Sequence, residues 1–411
     1  MKKIFILIIL LPIFCFAQEY TLENLIEIGL EKSIDIKAAN TSFLNSESSL
    51  RISWLDLLPN LSVNASASKS LYPENDWMKN AGISLSKSIL SNNPEYLNIK
   101  KSLINLQKAK LSLQNSRKKI VFNIFTKYLS VLEAQKKLEI RQQNLQLQEK
   151  IYEQTKLQYQ SGEKSYLELK QSELSLLDNR ISLKEAENSL IEARTNLFSY
   201  LDLKDEDYPL REIEFTIDST AVSFHENLDL QIQQKDLEAE KISLLQQKLN
   251  FFPTISLQYD YGYAKNISNG FWEFDKYDNS QSISLNASYS IFNLAEIRES
   301  YAQVKRNFLL SKISFDNSKK ELKDQLAVLE NDIAALRQTY NLYKEKIKLA
   351  EENLKMAQTQ YEMGTISLLD LEKAKLDFQN AQLSFTEQHY NLLRKQERRN
   401  YLLSEKIMNK W

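Results

Sequence analysis

The sequence is poor in the residues that staple or punctuate a chain. It has one cysteine, Cys15, with six glycines and six prolines among 411 residues. A lone cysteine excludes a disulfide framework. The two histidines, His225 and His389, lie far apart with no metal-like spacing around either. Phosphate loops, nucleophile elbows and cysteine pairs are missing, so no catalytic set is legible and no cofactor or metal is implied. Neither sign of charge is in excess. With 53 basic and 54 acidic residues the net charge is −1, and nothing points to a nucleic-acid partner. Long apolar runs are missing too, except at the start. Met1-Lys2-Lys3, an apolar core from Ile4 to Phe16 and then Ala17-Gln18 read as a secretory signal peptide over residues 1–17. That core is too short to span a membrane as a helix. Phe14 is too large for a lipoprotein cut before Cys15, so the mature chain is expected to be free of cysteine.

What is present is periodic. In Ser280 to Ile291 every second residue is apolar (Ile283, Leu285, Ala287, Tyr289, Ile291) and the residues between are small and polar. Successive strand side chains point to opposite faces, so one face is apolar and the other wet. The same alternation runs through Leu61 to Ser68, Ile83 to Ile89 and Ile255 to Tyr263, with Lys87 interrupting one apolar face. Each segment is about ten residues, the length of a tilted strand that crosses a bilayer. Four such strands in two hairpins, 57–91 and 254–292, cannot close a barrel, and an open edge does not survive in lipid. The chain is therefore expected to oligomerise within a lipid bilayer.

The glycines and prolines mark the rest. Pro59 and Pro253 precede strands, and Pro94 opens a helix. Between Pro94 and Gly162 about 67 residues pass without either residue type, enough for about 100 Å of helix. Gly162 and Gly364 each interrupt a very long helical pattern, and return helices follow to about Tyr200 and Arg399. From Leu322 to Tyr361 apolar residues recur alternately every four and three positions, the period of left-handed coiled packing. The same register in the first half carries Lys127, Arg141, Gln148 and Thr155, which predicts a weaker seam that partly faces water. The halves repeat: Pro59 corresponds to Pro253 at one offset, and Tyr159 and Gly162 to Tyr361 and Gly364 at a slightly larger one. The expected division is residues 18–222 and 223–411, with a mixed segment at 202–224. The hairpin loops, 69–80 and 264–279, carry Trp77, Phe271, Trp272 and Tyr277, the candidate aromatic girdle.

This order of elements resembles the TolC-like outer membrane efflux protein family over essentially the whole mature chain. The local matches are Thr21 to Leu30, Leu58 to Leu61, the strand-to-helix passages Leu85 to Leu90 and Leu285 to Phe292, and Tyr361 to Gly364 followed by Leu369-Asp370. The resemblance implies a mainly α protein with a membrane β-barrel. Three protomers would give four strands each to a twelve-stranded barrel, and their helices to a periplasmic tunnel. It implies a homotrimeric exit channel that works with a periplasmic adaptor and an inner-membrane transporter of a tripartite efflux or type I secretion system. Asp370 matches an acidic position at the tunnel's constriction, and the next family aspartate is Lys373 here. Tyr361 matches a tyrosine that latches the closed state, Glu168 its acidic partner, and Ile366 stands at the arginine that completes the latch. Gly162, Gly364, Ser161 and Met363 would lie at the periplasmic tip that meets the adaptor. Three clustered copies of Asp370 are expected to raise some carboxyl pKa values. A second reading, a periplasmic coiled-coil adaptor or scaffold without a barrel, rests on the helices alone.

Overall fold

The scarcity of helix breakers shows first in the helices. In the computed structural model, which describes residues 21–69, 77–91, 94–207, 209–212, 227–267, 278–289 and 291–405, two helices run 66 and 69 residues without a break. The elements in order are α1 (Leu22–Lys32), α2 (Ile34–Leu55), β1 (Asn60–Ser68), β2 (Trp77–Leu90), α3 (Glu95–Gln160), α4 (Tyr166–Tyr200), α5 (Leu228–Leu249), β3 (Thr254–Ile267), β4 (Asp278–Ser288), α6 (Leu294–Glu362) and α7 (Leu368–Leu403). The expected signal peptide, the girdle residues Phe271, Trp272 and Tyr277, and His225 lie outside the described residues.

The chain divides into two compact units. One comprises residues 34–116 and 224–325 and holds the sheet. Its strands follow the order β1-β2-β3-β4, all antiparallel, so β1 and β4 are edges. The ladder puts like with like. Leu61, Leu85, Tyr259 and Ile283 form one row, and Ser62, Ser84, Asp260 and Ser282 the next. Alternate rows belong to opposite faces. On the apolar face Leu61, Val63, Leu85, Tyr259, Ile283 and Leu285 are all exposed, the reverse of a sheet that packs on a core. This unit buries its apolar groups between helices instead, with Leu97 and Ile104 of α3 against Ile242 of α5. Lys87, which breaks the apolar pattern, sits at the helix-proximal end of β2. Its Nζ donates to the Asp56 carbonyl and to Glu95 Oε1, both at 2.9 Å, and so ties the strand to the first turn of α3.

Three boundaries differ from expectation. Residues 77–80 and 264–267, expected in loops, are strand. The ladder supplies hydrogen bonds there whatever the side chains are, and the pairs run on through Ser68–Met78 and Trp77–Ile267. Trp77 is thus the first residue of β2. Ile291, expected at the end of β4, begins a single 3-10 turn instead.

The second unit comprises residues 1–33, 117–223 and 326–411. Leu25 and Ile26 of α1, Ile124, Phe125, Tyr128 and Leu129 of α3, and Leu197 and Phe198 of α4 are fully buried. Tyr128 satisfies its hydroxyl by donating to the Arg211 carbonyl at 2.6 Å. The coiled period of α6 is realised in this unit: Leu329 and Ile333 pack against Leu392 of α7, and Leu354, Ala357 and Tyr361 join Leu368, Leu371 and Ala374. The α3 seam departs from expectation. Gln148 and Thr155 are completely buried rather than turned to water, while Lys127 and Arg141 are half-buried. Both buried groups are held by partners from the second half, so their burial is compensated.

Candidate functional site

The two helical turns of this unit are built alike. Gly162 and Gly364 have φ of 82° and 73°, the left-handed region that a Cβ disfavours. Behind each, the chain closes a Schellman turn. The Glu163 N–H donates to the Gln158 carbonyl at 2.8 Å, and the Thr365 N–H to the Gln360 carbonyl at 2.9 Å. Three residues further on, each return helix opens with a capping box. The Ser165 hydroxyl accepts from the Glu168 N–H, and the Glu168 carboxylate accepts from the Ser165 N–H. Ser367 and Asp370 repeat the arrangement. Ser161 and Met363 flank the glycines and are exposed.

Both candidate gate carboxylates are therefore capping residues. Glu168 accepts from the Ser165 N–H and hydroxyl, both at 2.9 Å, and lies 3.3 Å from Lys164 Nζ. The backbone bond from Ser165 leads in holding its carboxyl below the usual range, with the Ser165 hydroxyl and Lys164 adding to it. Asp370 accepts from the Ser367 hydroxyl at 2.6 Å and the Ser367 N–H at 3.2 Å. Those bonds, with the nearby Lys373 ammonium, hold its carboxyl low. Within one protomer the cap favours the charged form; the expected rise belongs to three gathered copies. Asp370 and Lys373 are both exposed.

Tyr361 and Glu168 do not bond directly. Tyr361 is buried, and its hydroxyl lies 3.2 Å from Thr155 Oγ1 of α3. Its ring lies 4.7 Å from Lys164 Nζ, the ammonium that also reaches Glu168. Lys164 thus mediates the link. Ile366, at the position of the latch arginine, packs against the apolar cluster around Tyr361.

About two turns further along α7 lies a polar layer that the pattern did not single out. Lys375 is only 3% exposed. Its Nζ donates to Gln148 Oε1 and lies 2.7 Å from Glu372. Gln148 Nε2 donates to Glu372 at 2.9 Å and, at 3.4 Å, to the Ser172 carbonyl of α4. Burial pushes the Lys375 ammonium below its ordinary pKa, against the pull of Glu372. Asn144 Nδ2 and Ser172 Oγ are buried nearby with no hydrogen-bond partner. The sequence signal was the pair of polar residues, Gln148 and Thr155, at seam positions. Higher up the unit, Glu133 of α3 pairs with Arg394 of α7 and, at 2.7 Å, with Lys137. Among the described residues no group of three His, Cys, Asp or Glu side chains is placed to hold a metal, and no helix is long and apolar enough to cross a membrane.

A sequence profile described as Outer membrane efflux protein matches residues 25–202 and 223–399. No curated protein matches at the sequence level. Solved structures do match in fold. The CmeC outer membrane channel of Campylobacter jejuni superposes with a TM-score of 0.82 at 16% identity, over 95% of this chain and 87% of that one. The outer membrane protein VceC of Vibrio cholerae gives 0.85 at 16% identity, over 94% and 96%. The open state of the MtrE outer membrane channel of Neisseria gonorrhoeae gives 0.82 at 16% identity, over 94% and 90%.

Proposed function

Because the chain belongs to the outer membrane efflux protein family, and is an exit channel of the outer membrane with a helical periplasmic part, we propose that it works as a homotrimer served by a periplasmic adaptor and an inner-membrane transporter. One observation carries this reading: the sheet is open at β1 and β4 and wears its apolar side chains outward. Unpaired strand edges in hydrocarbon leave backbone groups unsatisfied, so β1 must pair with β4 of another copy. Twelve strands in all would close with a polar lumen of Ser62, Ser84, Ser282 and Ser284. A soluble coiled-coil adaptor leaves the outward apolar rows unexplained.

The helices support the same assembly. At an offset of 202, some positions buried in one half are exposed in the other, while others, such as Ile124 and Leu326, are buried in both. Ile140 of α3 is 5% exposed and its counterpart Leu342 of α6 is 63% exposed; Leu393 of α7 is 4% exposed and its counterpart Ile191 of α4 is 61% exposed. The face that α3 and α7 bury in one chain is therefore offered to a second copy by α6 and α4. The turns at Gly162 and Gly364, with Ser161 and Met363, would form the end that meets the adaptor. Three copies of Asp370 would line the constriction, with Lys373 tempering the field. Native mass spectrometry of the detergent-extracted protein tests the assembly: a trimer is expected, and a stable monomer in the membrane fraction refutes it.

A further inference from the structure

Duplication creates a pairing problem. At the offset of 202, α3 corresponds to α6 and α4 to α7, and Tyr159, Gly162, Ser165 and Glu168 fall on Tyr361, Gly364, Ser367 and Asp370. On the trimer reading, which this inference rests on, α3 seats α7 of its own chain and α6 meets α4 of a second copy. The apolar positions alone do not choose that arrangement. Ile140 and Leu147 of α3 correspond to Leu342 and Leu349 of α6, so α6 offers an α7 from another copy much the same apolar surface that α3 does.

We propose that Gln148, Glu372 and Lys375 form a pairing key that assigns α7 to α3, and that Glu173 and Lys346 form its counterpart between copies. Lys375 and Gln148 are buried together, and each completes the other's hydrogen bonding through Glu372. The counterpart of Gln148 on α6 is Ala350, and the counterpart of the neighbouring Asn144 is Lys346. An α7 from another copy, seated on the face of α6 that matches its seat on α3, would bury the Lys375 ammonium against a methyl group and beside a like charge. A buried charge that loses its partner is strongly destabilising. The positions on α4 that match Glu372 and Lys375 are Lys170 and Glu173, a pair 2.6 Å apart with the charge order reversed. An α4 seated on α6 brings Glu173 to the small Ala350, one turn from Lys346 and its opposite charge. The reversal therefore matches each return helix to one long helix and penalises the exchange. The unpartnered Asn144 Nδ2 and Ser172 Oγ fit this role: a layer selected for stability alone would not leave buried polar groups unsatisfied.

Disulfide reporters and a charge swap test the key, and the expected absence of cysteine from the mature chain keeps the reporters clean. Arg394 pairs with Glu133 on α3, and the matching position on α6 is Ala335. In a chain carrying Ala335→Cys and Arg394→Cys, interchain disulfides should be rare. Adding Gln148→Leu and Lys375→Met, which removes the key at similar volume, should raise their yield at least five-fold. In the second arm, Glu173→Lys should lower the trimer fraction in native mass spectra several-fold, and adding Lys346→Glu should restore it. Lys346 is exposed and Glu173 half-buried, with Lys170 as its partner in the protomer, so the rescue by Lys346→Glu separates a lost contact between copies from the local loss of the Lys170 pair. No rise in the first arm, or no rescue in the second, overturns the key. A wild-type chain that runs as a monomer overturns the trimer reading instead.

Discussion

The sheet register fixes how deep each residue sits, and an arginine scan should read that depth out. The β3–β4 ladder runs ten steps, from Thr254–Ser288 to Ala264–Asp278. At about 3.3 Å per residue and a tilt of about 40°, it rises about 25 Å, the height of an outer-membrane apolar band. Basic residues bracket that band: Lys87 at the helix-proximal end, and Lys79 opposite Lys265 at the other. Ile283 pairs with Tyr259 at the fifth step, the middle of the ladder, and is exposed on the apolar face. Leu285 lies two residues nearer the helices, in the row that already holds Lys87. Ile283→Arg should therefore cost about 2–4 kcal/mol, the midplane figure. Leu285→Arg should cost less, because its guanidinium can reach the interface as Lys87 reaches the Asp56 carbonyl. Ser284→Arg, on the polar face, should cost least of the three. Folding into lipid vesicles, followed by denaturant titration, gives the three values. A Ser284→Arg cost equal to that of Ile283→Arg would refute the assignment of faces. A larger cost at Leu285 than at Ile283 would refute the depth scale.

Three further outcomes follow. Ser165→Ala should loosen the start of α4 by about 1 kcal/mol, as loss of an N-cap does, seen as faster amide exchange over the first turn of α4. The Glu168 carboxyl is lowered in the folded chain, so its stabilisation is complete above the ordinary carboxylate pKa of about 4.3 and fades as pH falls through the lowered value. Wild type should lose its melting-temperature advantage over Glu168→Gln in that acid window, and a constant difference down to pH 2 would count against it. In single-channel recordings under a salt gradient, Asp370→Asn should abolish a weak cation preference and Lys373→Ala should strengthen it; unchanged reversal potentials in both place the constriction elsewhere.

The periodic parts of the molecule were legible because period and environment coincide there. Ile283, Leu285 and Ala287 alternate with serines and asparagine, and the strand that results has an apolar row and a wet row. Leu329, Ile333 and Leu354 keep the coiled spacing and are buried. The glycine turns were legible for a backbone reason, since φ of 82° and 73° suits glycine at positions 162 and 364. The strand ends were not legible. Met78, Lys79 and Lys265 carry no strand pattern, yet their backbones are claimed by neighbours already in register. The candidate site was legible in position and not in partners. Tyr159 and Tyr361 are the same residue at matching places, but Tyr159 stays partly exposed beside Tyr166 while Tyr361 is buried on Thr155. That difference comes from α3 packing against α6 and α7, a contact that no local window contains. Gln148 stood out as a polar residue in an apolar seam, but its partners Glu372 and Lys375 lie more than two hundred positions away.

The capping boxes bear on how a charge could be held at a gate. A carboxylate on a free side chain spreads its field over many rotamers and pairs with whatever cation approaches. Asp370 is instead clamped by the Ser367 N–H and hydroxyl at the start of α7. The clamp fixes where the charge sits and lowers its pKa, which opposes the rise that approaching like charges cause. The same bonds anchor the helix start, so moving the charge requires moving the first turn of α7 or breaking the cap. In the first half Glu168 is clamped in the same way but is also neutralised by Lys164 at 3.3 Å. Of the two matching carboxylates, then, only Asp370 presents its charge without an ion pair within 4 Å among the described residues. If three protomers gather their turns around one axis, the second turn supplies the field, while the first supplies a neutral, rigid support that reaches Tyr361 through Lys164.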